Sequence, residues 1–127
     1  MAKILIVEDN VDLLTVLKDL LGREHEVATA RRGEEAVRLA REFVPDLVIL
    51  DLQLPSMDGI EAGRWIKREL APRHVPILAL TALAQAGDSE VVLGSGCCDS
   101  YMSKPASLSD IRNRVAELLG DAAERAA

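Results

Sequence analysis

The sequence has little of several features that mark common protein classes. It has only two cysteines, Cys97 and Cys98, and adjacent cysteines rarely reach disulfide geometry. No CxxC spacing appears, so we expect two reduced thiols and no thiolate metal or redox site. No apolar run approaches the ~20 residues of a membrane-spanning helix. The acidic start, MAKILIVEDN, is unlike a signal peptide. We therefore expect a cytoplasmic protein that has no membrane segment.

Aromatic residues are also scarce, at 2% of the chain, and acidic residues outnumber basic ones. Lys and Arg number 15 against 21 Asp and Glu, which gives a formal net charge of −6. This balance argues against a surface that binds nucleic acid or an anionic membrane. What the chain does have is 49% hydrophobic residues over 127 positions, enough for one domain with its own core. We expect one domain over residues 1–120, followed by a C-terminal tail at 121–127.

Two hydrophobic periods alternate along the chain. Short apolar or β-favouring runs predict five strands, at 3–7, 25–30, 46–50, 75–80 and 98–103. Helical spacing predicts a helix after each strand, the fourth at 84–94 being the weakest. Ser107 and Asp110 resemble a capping box at the start of the last helix. The alternation predicts an α/β fold, a doubly wound five-stranded parallel sheet with five helices on its two faces.

Acidic residues follow two of the predicted strands. Glu8 and Asp9 follow the first, and Asp51 follows the third. Ligands of open parallel sheets bind outside the carboxyl ends of the strands, so these carboxylates converge if the two strands are neighbours. Lys104, after the fifth strand, offsets one charge and leaves about −2, which suits a divalent cation. Oxygen ligands favour Mg²⁺ over Zn²⁺. The alternative is that each acid merely caps or solvates its own loop.

Four motifs together carry a family resemblance. VEDN at 7–10, LDLQLPSMDG at 50–59, LTA at 80–82 and YMSKP at 101–105 resemble the receiver domain of two-component response regulators, the CheY-like superfamily. The resemblance covers essentially the whole chain and is closest to the stand-alone regulators of the DivK type. It implies a flavodoxin-like sheet of order 2-1-3-4-5. Glu8 stands where Asp is common, a variant that the family also uses.

The resemblance implies a single-domain response regulator of a phosphorelay, not an enzyme. Asp51 would accept a phosphoryl group from a phosphohistidine of a histidine kinase or a histidine phosphotransfer protein. Mg²⁺ would be bound directly by Asp9 and Asp51. The backbone carbonyl of Gln53 would add a further ligand, and Glu8 would act through water.

The resemblance also implies the remaining roles. Lys104 would pair with a phosphoryl oxygen, while the Thr81 hydroxyl and the Ala82 N–H would donate to the others. Thr81 and Tyr101 would form a switch that remodels the face of helix 4, strand 5 and helix 5 toward a downstream protein target. Leu83 would shield the phosphoryl group from water. Whether the chain also forms a homodimer through the same face stays open.

Three other interpretations of the function fit the sequence less well. A haloacid-dehalogenase-type phosphatase needs a second Asp two residues beyond its nucleophile on the first strand, whereas Gln53 stands there and the strand is the third. A nucleotide- or flavin-binding module needs a glycine- or hydroxyl-rich loop after strand one, where VEDN is acidic. The receiver segment of a hybrid kinase would keep the fold. Met1, only two residues before strand one, favours a stand-alone chain, although a cloned start would look the same.

Overall fold

The computed structural model describes residues 2–55, 57–82 and 88–126. The strands are β1 (Lys3–Val7), β2 (Glu26–Ala30), β3 (Leu47–Leu50), β4 (Ile77–Thr81) and β5 (Ser100–Ser103). The helices are α1 (Val11–Gly22), α2 (Gly33–Phe43), α3 (Gly59–Leu70), α4 (Asp88–Gly94) and α5 (Leu108–Ala126). All strand pairs are parallel, and the sheet order is β2-β1-β3-β4-β5. The predicted fold and strand order are confirmed.

Alternate residues of the central strands face opposite sides of the sheet and build two cores. On one side, Leu5, Val48 and Ile77 pack among the buried residues of α2 and α3. On the other, Ile4 and Ile49 pack among those of α1 and α5. Strands covered on both faces must be apolar throughout, which is why LVIL of β3 is completely buried.

Side chains fix where several helices begin. The Asn10 side chain accepts a hydrogen bond from the Leu13 N–H at the start of α1, and Ser107 Oγ accepts one from the Asp110 N–H at the start of α5. Such caps satisfy backbone donors that the first turn leaves without partners. Both caps lie in loops that follow the carboxyl ends of strands, β1 and β5.

The ends of two helices differ in detail from the sequence-based expectation. α4 runs over Asp88–Gly94, and residues 83–87, which include Leu83 and the predicted start of this helix, lie outside the described residues. α5 continues to Ala126, so residues 121–126 are helical. The domain boundary at residue 120 stays a prediction. None of the helices in the described ranges is long and apolar enough to cross a membrane.

Candidate functional site

The carboxyl ends of three strands bring two acids and one base together. Glu8 follows β1, Asp51 follows β3 and Lys104 follows β5. Lys104 Nζ lies 2.7 Å from Glu8 Oε1 and 3.3 Å from Asp51 Oδ2. Glu8 is 2% exposed and Asp51 5% exposed. A buried carboxylate without a cation would be strongly disfavoured, so Lys104 is what makes this pair of buried acids tolerable.

The loop after β3 holds Asp51 in a fixed orientation. Its Oδ1 accepts a hydrogen bond of 2.9 Å from the Gln53 N–H. Gln53 in turn forms an isolated antiparallel bridge with Asp58, and the Gly59 N–H donates to Leu52 O. A Cβ at position 59 would overlap the Leu52 backbone, so only glycine allows this approach. The Gln53 side chain itself is exposed, and its backbone is the part that contacts Asp51.

Burial sets the electrostatics of Glu8. Loss of solvent raises the pKa of Glu8 above its usual value, and the neighbouring Asp51 raises it further. The Lys104 ammonium and the Asn10 N–H, which donates to Glu8 Oε2 at 3.1 Å, act in the opposite direction. Holding this side chain ionised therefore costs free energy, which added positive charge at the site would recover.

Asp9 lies at the rim of the site and points toward a residue that the sequence analysis did not select. Its Oδ1 is 3.7 Å from Arg31 Nη2, and its backbone carbonyl accepts a hydrogen bond of 3.3 Å from the same nitrogen. Arg31 directly follows β2. The signal was available, because β2 and β1 are neighbours and the residues after them must lie side by side.

The predicted magnesium ligands are oxygen donors, but their side chains do not all point toward one common position. Within the described residues, no three acidic, histidine or cysteine side chains lie close enough to hold a metal ion. Glu8 and Asp51 share Lys104, while Asp9 turns to Arg31. The set fits Mg²⁺ chemically, because all its donors are hard oxygens. The Asp9 side chain is 48% exposed and pairs only loosely with Arg31, so little free energy holds it in this direction.

Thr81 and Tyr101 lie on the side of the sheet that α2 and α3 cover. Thr81 ends β4 and is completely buried, and its carbonyl accepts a hydrogen bond of 2.7 Å from the Lys104 N–H. Tyr101 is half-buried, packs against the core on that side and pairs in register with Ala79. Ala82 is exposed at the end of β4. The Lys104–Pro105 peptide bond is cis.

Comparison with known proteins decides the family. The family model described as the response regulator receiver domain matches residues 4–116. The chain belongs to the response regulator receiver domain family. The polar-differentiation response regulators DivK of Brucella ovis and Brucella abortus are each 40% identical over 120 residues, which cover 94% of this chain and 97% of theirs.

Solved receiver domains share the fold. The receiver domain of a sensor histidine kinase from Pseudomonas aeruginosa is 35% identical with a TM-score of 0.83, covering 94% of this chain and 98% of that one. That structure has a magnesium ion coordinated in its active-site cleft. A CheY-like receiver domain from Methanospirillum hungatei is 25% identical with a TM-score of 0.89, covering 98% of both chains. Receiver domains are modules of two-component signalling, and the match covers the strand ends that carry Glu8, Asp51 and Lys104.

Proposed function

We propose that this receiver domain is a single-domain response regulator that accepts a phosphoryl group on Asp51 in a Mg²⁺-dependent reaction. The donor would be a phosphohistidine on a histidine kinase or histidine phosphotransfer protein, and the output a protein target. The observation that carries the proposal is the Lys104 ammonium, which lies between the buried carboxylates of Glu8 and Asp51. The match to almost the full length of DivK regulators supports the same role.

The chemistry follows from the positions of these groups. A carboxylate oxygen of Asp51 attacks phosphorus, the bond from phosphorus to the imidazole nitrogen breaks, and its electron pair stays on that nitrogen. The product is an acyl phosphate on Asp51. Lys104 would contact a phosphoryl oxygen while it remains paired with Glu8, because its ammonium has three donors. The Thr81 hydroxyl and the Ala82 N–H would donate to the other oxygens.

The residues that would hold Mg²⁺ are Asp9, Asp51, the backbone carbonyl of Gln53 and, through water, Glu8. Bound there, Mg²⁺ would supply the positive charge that offsets repulsion between the carboxylate and the incoming dianion. This chain's own contribution is to fix Asp51 through the Gln53 N–H and to pair Glu8 and Asp51 with the Lys104 ammonium. In this role the domain is a phosphoacceptor and a switch rather than a turnover enzyme. We place the exchange in the cytoplasm, where kinases draw on ATP.

The signal would pass from the site to a protein-binding face. Thr81 pairs with Ser103 in register, and Tyr101 stands two residues earlier on β5, on the same side of the sheet as Thr81. A shift of Thr81 toward a phosphoryl group would free space beside the Tyr101 ring. The surface of α4, β5 and α5 would then change shape, which biases a two-state equilibrium of partner binding.

The first test is chemical labelling of Asp51. Acetyl phosphate with Mg²⁺ should add one phosphoryl group, which intact-mass spectrometry measures, and EDTA should prevent the addition. Asp51→Asn should abolish labelling, because it removes the nucleophile and keeps the shape of the side chain. Asp12→Asn is the matched control, since Asp12 is an exposed acid on α1. Labelling of Asp51→Asn to the wild-type level would show that the acceptor is a different residue.

A further inference from the structure

Arg31 is held beside Asp9 by its backbone, which bonds to Glu35, and by its guanidinium, which contacts Asp9 itself. Its backbone N–H donates to Glu35 Oε1 at 2.9 Å, which fixes the turn between β2 and α2. Its guanidinium reaches back to Asp9, with Nη2 lying 3.7 Å from Oδ1 and 3.3 Å from the backbone oxygen. The parallel register of Val7 with Ala30 puts the two loops side by side. Arg31 therefore stands at the edge of the acidic site, on the side away from Lys104.

We propose that Arg31 is a positioning residue that competes with the divalent cation for Asp9. The inference rests on the proposed function, because it concerns the same metal site. Where it faces Arg31, Asp9 does not form a metal-binding group with Glu8 and Asp51 among the described residues, so on this proposal the pair opens before the metal binds. The apparent dissociation constant for the metal is then the intrinsic one divided by the fraction of molecules in which Asp9 is not paired with Arg31. Arg31 thus sets how much Mg²⁺ the receiver needs before Asp51 can accept a phosphoryl group.

The pair is weak enough to open, which makes Arg31 a regulator of affinity and not a block. The side chains of Arg31 and Asp9 are 55% and 48% exposed. Exposed ion pairs contribute little and lose more of their strength in salt. An open groove of about 630 Å³ adjoins the pair, lined by Asp9, Arg31, Arg32, Glu34, Glu35 and Pro55. The groove gives the released guanidinium room to move away from the metal.

Arg32 offers a matched control in the same groove. It carries the same charge, is exposed and lies one residue along the chain. Within the described part of the chain, its guanidinium has no acidic side chain at ion-pair distance. Loss of Arg32 therefore removes one positive charge near the site without freeing Asp9. Comparing the two arginines separates direct competition from a general change in local charge.

The experiment measures Mg²⁺ affinity of the unphosphorylated protein. Amide shifts of Asp9, Asn10 and Asp51 are followed by NMR while MgCl₂ is added. Arg31→Gln should lower the dissociation constant about twofold to fivefold, the range expected for an exposed ion pair. Arg32→Gln should change it less than about 1.5-fold, because a more distant charge is screened. Circular dichroism and metal-free unfolding midpoints close to those of the wild type would show that both variants fold normally.

Two results would overturn the proposal. One is an unchanged affinity in Arg31→Gln, and the other is an equal gain in Arg31→Gln and Arg32→Gln. A wild-type protein that binds no Mg²⁺ would overturn the proposed function itself, and this inference with it. The two failures are distinguishable, because the wild-type titration alone reports on the metal site and the comparison of variants reports on Arg31.

Discussion

At the scale of single residues, the site buries more carboxylates than cationic groups. Two buried acids, Glu8 and Asp51, share one ammonium, that of Lys104. Burial raises the pKa of Glu8, which means that its ionised form is disfavoured in the folded chain. A site that costs stability in this way is typical of a binding function, because an added cation recovers the free energy.

Glu8→Gln should therefore stabilise the metal-free protein at neutral pH. The expected gain in unfolding free energy is about 0.5–2 kcal/mol, the usual range of single stabilising substitutions. A carboxyl whose pKa is raised on folding destabilises the folded protein at pH values above the raised pKa. It has no such effect at pH values below its unfolded pKa of 4.5. The gain should accordingly shrink as the pH falls through the raised pKa and vanish below 4.5. Urea unfolding at several pH values measures it.

The control for this prediction is Glu42→Gln. Glu42 is exposed and pairs with Arg38 four residues earlier on α2, so its substitution should change stability by less than about 0.5 kcal/mol at any pH. A loss of stability in Glu8→Gln at neutral pH would mean that the Lys104 contact outweighs the burial of Glu8. A gain that persists below pH 4.5 would mean that ionisation of Glu8 is not its source.

The side-chain partners at the site could be predicted only in part. Glu8, Asp51 and Lys104 could be selected because each directly follows a strand, and a parallel sheet brings those positions to one edge. The side-chain direction of Asp9 could not, since an exposed carboxylate chooses between charged partners that differ little in energy. Arg31 was not selected, because the loop after β2 carries no acid and its position beside the loop after β1 depends on the strand order.

At the scale of elements, a glycine in α3 allows that helix to pack closely against the segment that leads into β5. A Cβ at Gly63 would overlap the Cys97 carbonyl oxygen and would lie 2.9 Å from the Cys97 Cβ and 3.1 Å from Leu50 Cδ2. Gly63 is inside α3, where glycine lowers helix stability by about 0.5–1 kcal/mol relative to alanine. The close approach therefore outweighs the helix preference at this position.

Gly63→Ala should destabilise the domain, opposite to the usual effect of this substitution inside a helix. Overpacking costs about 1–3 kcal/mol, which exceeds the gain in helix preference. The matched control is Gly22→Ala at the end of α1, where an added Cβ meets no atom within 4 Å. That variant should be as stable as the wild type or slightly more stable. Urea midpoints of both variants test the point, and a Gly63→Ala protein as stable as the wild type would contradict it.

The sequence predicted the elements well where burial dictates residue type. The apolar runs within β1 and β3 were recognised as strands, since residue type along a short run is a local signal. Periodicity alone could not place β2 beside β1, because neighbour order is a property of the whole sheet; the family resemblance supplied it. The clash at Gly63 was also invisible, because it depends on Cys97, which is distant in sequence.

At the scale of the whole molecule, the sheet connects the acidic site to a distant face. Thr81 ends β4 next to the site, and Tyr101 lies on β5 against the same core. β4 and β5 are paired over four positions, so a displacement of the end of β4 would also displace the residues of β5 that pair with it. β5 is an edge strand and is only partly buried, which leaves its side chains room to rearrange.

Phosphorylation should consequently change the molecule far from Asp51, and Thr81 should be required for that change. In the wild type, acetyl phosphate with Mg²⁺ should shift NMR amide signals near Asp51 and also those of β5 and the first half of α5. In Thr81→Ala the shifts near Asp51 should persist, while those of β5 and α5 should fall to less than about half, because the hydroxyl that draws β4 toward the phosphoryl group is gone. Thr15→Ala is the control, since Thr15 is on the exposed face of α1, where its hydroxyl donates to Val11 O, and this variant should behave as the wild type. Mass spectrometry run in parallel ensures that all three proteins are compared at equal phosphorylation. Equal distant shifts in Thr81→Ala and the wild type would show that the signal reaches β5 by a route that does not involve Thr81.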